Sequence, residues 1–226
     1  MTSAALKPRY RLARYAAGLS LLMLWNVSAD ARSLETILER GALTLCASPN
    51  GLRRADCDLV LDVIARKDTP PAGGVKVSRP YHRSGVVLAV RGDSHASSLA
   101  GLGADARVGV PVGSLVSMTL DKGGLATSPF VLEDEIVAAL ANREIEAAAV
   151  TPAAVGWFNL QHPDKRLRLI PAFENDPDLN WNIGAGLFRP DDELRRRVDA
   201  AIEVLLADGT IAQIYARYGI ELRPPQ

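Results

Sequence analysis

The 226-residue chain is poor in cysteine, histidine, aromatic residues and net charge, with two Cys, three His, 5% aromatics, and 26 basic against 26 acidic side chains. Two cysteines exclude a dense disulfide framework. His82, His95 and His162 share no metal-ligand spacing with one another or with a carboxylate pair, so no metal site is expected. No apolar run reaches the roughly 20 residues that span a bilayer core. Without a cluster of Lys and Arg there is no electrostatic footprint for a phosphate backbone, which excludes nucleic acid as a partner. G-x-S-x-G and Walker loops are absent, and Gly101 to Gly103 is a lone G-x-G that precedes a strand instead of following one. What is present, 48% hydrophobic and 23% charged residues, describes a folded globular chain able to bury a core without metal.

Residues 1–31 read as a secretory signal. Lys7, Arg9, Arg11 and Arg14 form a basic start, residues 16–25 an apolar run, and Ser28 to Ala31 an A-x-A-like site, so cleavage after Ala31 and a periplasmic location are expected. Ten apolar residues are too few for a membrane anchor. Removing those four basic residues and Asp30 leaves 22 basic and 25 acidic side chains, a net charge of about −3. In an oxidising compartment Cys46 and Cys57 can pair; otherwise they are two small buried hydrophobes.

The remaining chain divides by pattern. A short helix over 34–40 stops at Gly41, and strands are expected over 42–47, 58–64, 75–78 and 85–91. From Leu99 onward strands and helices alternate: strand 107–111, a helix opened by Gly113 and Ser114, strand 128–131, helix 133–142, strand 147–150, helix 152–161 and strand 167–170. That alternation predicts βαβ units and a parallel sheet, hence an α/β fold. A strand over 183–188 and helices over 191–206 and 210–218 close the chain, with Gly219 as the stop.

Four stretches now carry a resemblance: VGVPVGS at 108–114, AALANREIEAAAV at 138–150, IGAGLFRPDDEL at 183–194 and LADGTIAQIYARYGI at 206–220. Together they resemble the periplasmic solute-binding proteins of family 3, the two-lobed receptors that feed ABC importers. LCASPN at 45–50 and CDLV with SRPYHRSGVVLAV at 57–60 and 78–90 are similar to the branch that accompanies quinoprotein (methanol or alcohol) dehydrogenases. The resemblance implies a periplasmic-binding-protein fold of type II, with a signal at 1–31, a first lobe at 32–98 that includes the first crossing strand, a second lobe at 99–182, and a return strand and terminal helices at 183–226 packing on the first lobe. Only residues 47–56 separate the first strand from the Asp-containing one, where the family places a helix, a strand and a helix. Lobe 1 is therefore expected to be reduced.

The resemblance also implies where a ligand would sit. In amino-acid-binding members an Arg after the Asp-containing strand takes the carboxylate, and an Asp after the AAAV-type strand takes the ammonium. Here those places read DTPPAGG (68–74) and Thr151, so a standard amino-acid ligand is not expected. Gly113 and Ser114 offer either an anion site at a helix start or an ordinary N-cap. Tyr81, Arg83 and Trp181 lie near the expected crossings as candidate contacts for a ligand or partner, whereas Trp157 and Phe158 read as core. The resemblance implies a non-catalytic, cofactor-free protein accessory to a quinoprotein alcohol dehydrogenase. The alternative is a receptor whose partner is an ABC importer permease.

Overall fold

The computed structural model describes residues 33–46, 57–66 and 73–226. The signal segment and the 47–56 connection lie outside them. The described residues form one compact unit containing two five-stranded sheets.

The first sheet runs β1 (Leu45–Cys46), β2 (Leu59–Ala65), β10 (Asn180–Phe188), β3 (Val75–Val77), with β4 (His82–Gly85) also on β10. β1 and β2 are parallel, in the register Leu45 to Leu59 and Cys46 to Val60. Their shared entry is fastened by Asp58, whose fully buried carboxylate accepts from the Thr44 N–H at 2.8 Å and from the Arg40 guanidinium. Arg40 closes helix α1 (Leu34–Arg40), which Ser33 caps at one end and Gly41, at φ 68°, stops at the other. One face of this sheet packs under α1, α5 (Asp192–Ala207) and α6 (Thr210–Arg217) through Ile37, Leu59, Tyr81, Leu187, Leu194 and Ile202. The other face holds a smaller cluster, Cys57, Val60 and Val75 with Cys46, Val63 and Phe188 against it. No described helix contributes to that cluster.

The second sheet runs β7 (Ala126–Phe130), β6 (Arg107–Pro111), β8 (Ala147–Val150), β5 (Val87–Arg91), β9 (Leu167–Ile170). Helix α2 (Leu115–Lys122) covers one face, with Val116 and Leu120 against Leu88, Val90, Val108 and Val110. Helices α3 (Glu133–Ala141) and α4 (Pro152–Gln161) cover the other with Ile136, Leu140 and Val155. Burial on both faces is why β8 reads as an unbroken apolar run without alternation.

Several differences from the sequence reading follow from strand partnership. β6 is parallel to β7 and β8, but β5 is antiparallel to β8 and β9, so the sheet is mixed. The run 85–91 divides at Val86, whose N–H leaves the ladder for the Leu179 carbonyl at 2.8 Å. β4 stays with the first sheet and β5 belongs to the second. The return strand starts at Asn180, because Asn180, Trp181 and Asn182 pair with Gly85, Ser84 and Arg83 of β4. The first strand is described only at Leu45–Cys46, shorter than the 42–47 expected.

Candidate functional site

The candidate residues fall into two groups on different sheets. Gly113, Ser114 and Thr151 lie at the carboxyl edge of the second sheet, where β6, β7 and β8 pass into α2, α3 and α4. Gly113 takes φ 67°, a conformation that glycine adopts without steric cost, and turns the chain from β6 into α2. Ser114 Oγ accepts from the Ser117 N–H at 3.3 Å, so Ser114 is the N-cap of α2. Thr151 precedes α4 and is fully engaged: its N–H donates to Glu133 Oε1 at 2.9 Å and its hydroxyl to Glu133 Oε2 at 2.5 Å. Glu133 opens α3, where the helix dipole favours a carboxylate. Sequence reasoning passed over Glu133; its signal was an acidic residue in a first helical turn, one strand away from Thr151.

The second group lies at the crossings. Tyr81 is buried at 7% exposure, and its hydroxyl donates to the Leu61 carbonyl at a bulge where β2 carries an extra residue against β10. Burial, with Tyr215 and Asp62 nearby, pushes the Tyr81 phenol well above the usual range, and burial with Asp62 raises Tyr215 to about 12. Trp181 is half-buried against the same cluster. These positions give Tyr81 and Trp181 a packing role in lobe 1. Arg83 is taken by residues 220–226: its N–H donates to the Arg223 carbonyl at 2.9 Å, and its guanidinium reaches Asn180 Oδ1 at 3.5 Å. Phe158 packs on the second core, but Trp157, expected there, is 39% exposed with its ring 5.8 Å from Tyr218.

Cys46 and Cys57 are joined in a disulfide with Cα atoms 5.6 Å apart. The bridge fits two parallel strands because Cys57 precedes the first paired residue of β2, beside the end of β1.

A pocket of about 350 Å³ lies between α4, β9 and the 219–223 segment, lined by Pro152, Val155, Asn159, Leu169, Glu174 and Glu221 among others. None of the sequence candidates lines it. Among the described residues there is no cluster of three or more His, Cys, Asp or Glu able to hold a metal, and no helix long and apolar enough to cross a membrane. At the edge of the first sheet, Leu43, Leu45, Leu61 and Ile64 are exposed at 49%, 53%, 49% and 43%.

Comparison by sequence with curated proteins finds no match. Among solved structures, the unliganded open L-cystine solute receptor of Neisseria gonorrhoeae is 20% identical, with 80% of this chain and 75% of that chain covered at a TM-score of 0.62. The periplasmic binding protein XoxJ from Methylobacterium extorquens AM1 is 20% identical over 75% of this chain and 77% of that one, at 0.57. An ancestral cationic amino acid solute binding protein is 17% identical over 76% and 74%, at 0.62. These likenesses establish the α/β fold of periplasmic-binding-protein type II. The family model of the bacterial extracellular solute-binding proteins, family 3, matches residues 48–221, and the chain belongs to that family.

Proposed function

We propose that the chain is exported, cleaved after Ala31 and non-catalytic, and that it serves a periplasmic quinoprotein alcohol dehydrogenase system by contact with a protein instead of by capture of a solute. The observation that carries this reading is the group of exposed apolar side chains Leu43, Leu45, Leu61 and Ile64 along β1 and β2 of the first sheet. Apolar surface left in water favours association, and centrally placed apolar side chains dominate such interfaces. Tyr81 and Trp181 are committed to the lobe 1 core, so the anchors are Leu61 and Ile64 instead.

Sedimentation of the purified mature chain with the quinoprotein alcohol dehydrogenase of the same cell tests this. A complex is expected at about tens of micromolar, with Leu61→Ser and Ile64→Ser each weakening it by about 1 kcal/mol or more. No complex at that concentration ends the reading. Intact mass of periplasmic protein beginning at Arg32 tests the export half.

A second reading, a receptor for an ABC importer, draws support from the second sheet, where three helices open at one edge. A small polar or organic solute binding in the micromolar range by calorimetry would favour it.

A further inference from the structure

We propose that residues 220–226 are a latch across both strands that cross between the sheets, with His82 as its proton-sensitive catch. The chain passes between the sheets twice, from β4 to β5 and from β9 to β10, and rotation of one sheet against the other must bend both connections. β4 and β10 already pair along Asn180 to Ile183, and the segment after α6 adds a strap that bonds to both. On β4, Arg223 accepts from the Arg83 N–H at 2.9 Å and donates its own N–H to His82 Nδ1 at 3.3 Å. On β10, Gln226 and Asn182 exchange two bonds, at 2.8 and 3.1 Å. Arg223 Nη2 also pairs at 2.7 Å with Glu174, which precedes β10. These bonds fasten both crossings to one another without passing through either core.

His82 controls the middle of this strap. It is buried at 5% exposure, with its ring 4.7 Å from that of Tyr215 on α6. Because Nδ1 accepts from Arg223, the neutral ring carries its proton on Nε2. Protonation would set an Nδ1–H against the Arg223 N–H and remove the bond. The charged groups facing the ring are Arg223 on the latch, which opposes protonation, and Asp62 on β2, which favours it; Tyr81 and Arg83 are its chain neighbours. Burial is the largest influence and lowers the His82 value below the ordinary 6.5. The latch is therefore at full strength above about pH 6.5 and weakens as pH falls through the lowered value.

Hydrogen exchange of the Arg83 and Arg223 amides in the mature chain, read beside the NMR titration of the His82 ring, tests the latch. Relative to amides of the second sheet, both should lose about tenfold protection for each pH unit between 6.5 and the lowered His82 value, and no more below it. His82→Gln keeps an acceptor but cannot titrate, so its protection should not respond to pH. Deletion of residues 223–226 should raise the His82 pKa toward 6.5 while leaving exchange in the second sheet unchanged. The proposal is overturned if Arg223 protection stays constant while His82 titrates, if His82→Gln responds to acid like the parent, or if the deletion leaves the His82 titration in place. Should His82→Gln fail to fold, the deletion decides.

Discussion

Gly156 in α4 and Gly219 after α6 meet backbone to backbone, so that a Cβ on either would overlap the carbonyl oxygen of the other. The contact joins the second sheet's helix layer to the terminal helix that packs on the first sheet. Gly219 also has φ 72°, which a side chain adopts with strain. Gly156→Ala should cost about 1 to 3 kcal/mol, the usual range for overpacking, and Gly219→Ala more, because strain adds to overlap. Urea denaturation of the two variants provides the comparison; equal stability to the parent would mean that the helices separate freely.

The Cys46–Cys57 disulfide fixes Leu45 and Cys46 of β1 beside β2. Closing a loop with a sequence separation of 11 stabilises by about 2 to 3 kcal/mol in the chain-entropy model. Cys46→Ser with Cys57→Ser should lose that amount, and most of the added exchange should appear around Thr44 and Leu59. The parent, unfolded without reductant, should show no titratable thiol.

Most elements were legible because local rules decide them. Ser33, Ser114 and Asp191 each accept from a first-turn N–H, so helix starts could be read from single residues. Strands 107–111, 147–150 and 167–170 lie where their apolar runs put them. Partner direction was not legible: β5 is as apolar and β-branched as a parallel strand, and no period reports that it runs against β8. The break at Val86 was hidden for the same reason, since both halves of the run are buried. The clasp of Thr151 by Glu133 joins residues 18 apart through folding alone. The strap formed by residues 220–226 was not legible, because most of its bonds use main-chain groups, which carry no residue-type signal.

Tyr81 and Tyr215 share one cluster, and burial raises both phenols, Tyr215 to about 12 from the ordinary 10.0. A phenol whose value is raised by folding contributes stability that is fully present below pH 10 and is lost as pH rises through the folded value. Stability should therefore be flat up to about pH 10 and fall toward 12. Tyrosinate absorbance should show these two phenols ionising above pH 10. Tyr81→Phe removes the donor to Leu61 and should cost about 1 to 3 kcal/mol, since that carbonyl sits at a bulge with no ladder partner in register.

Glu133 holds Thr151 through both its N–H and its hydroxyl, so the carboxylate nearest the start of α4 already accepts two hydrogen bonds. An incoming ammonium would have to compete with those bonds or share their acceptor, and a zwitterion without paired partners keeps its desolvation cost in a closing cleft. Free amino acids should accordingly bind no tighter than about 1 mM, as read by calorimetry against a panel of acidic, basic and neutral members. Removing the clasp separates its structural part from any binding part. Glu133→Ala leaves the Thr151 N–H without its acceptor and should destabilise by about 1 to 3 kcal/mol, whereas Glu133→Gln retains an amide oxygen for that N–H and should cost less. If Glu133→Gln lowered affinity for an amine at least tenfold while keeping its stability, the carboxylate would be a ligand anchor. If both variants changed only stability, Glu133 would be confined to holding α3 and α4 together at the edge of the sheet.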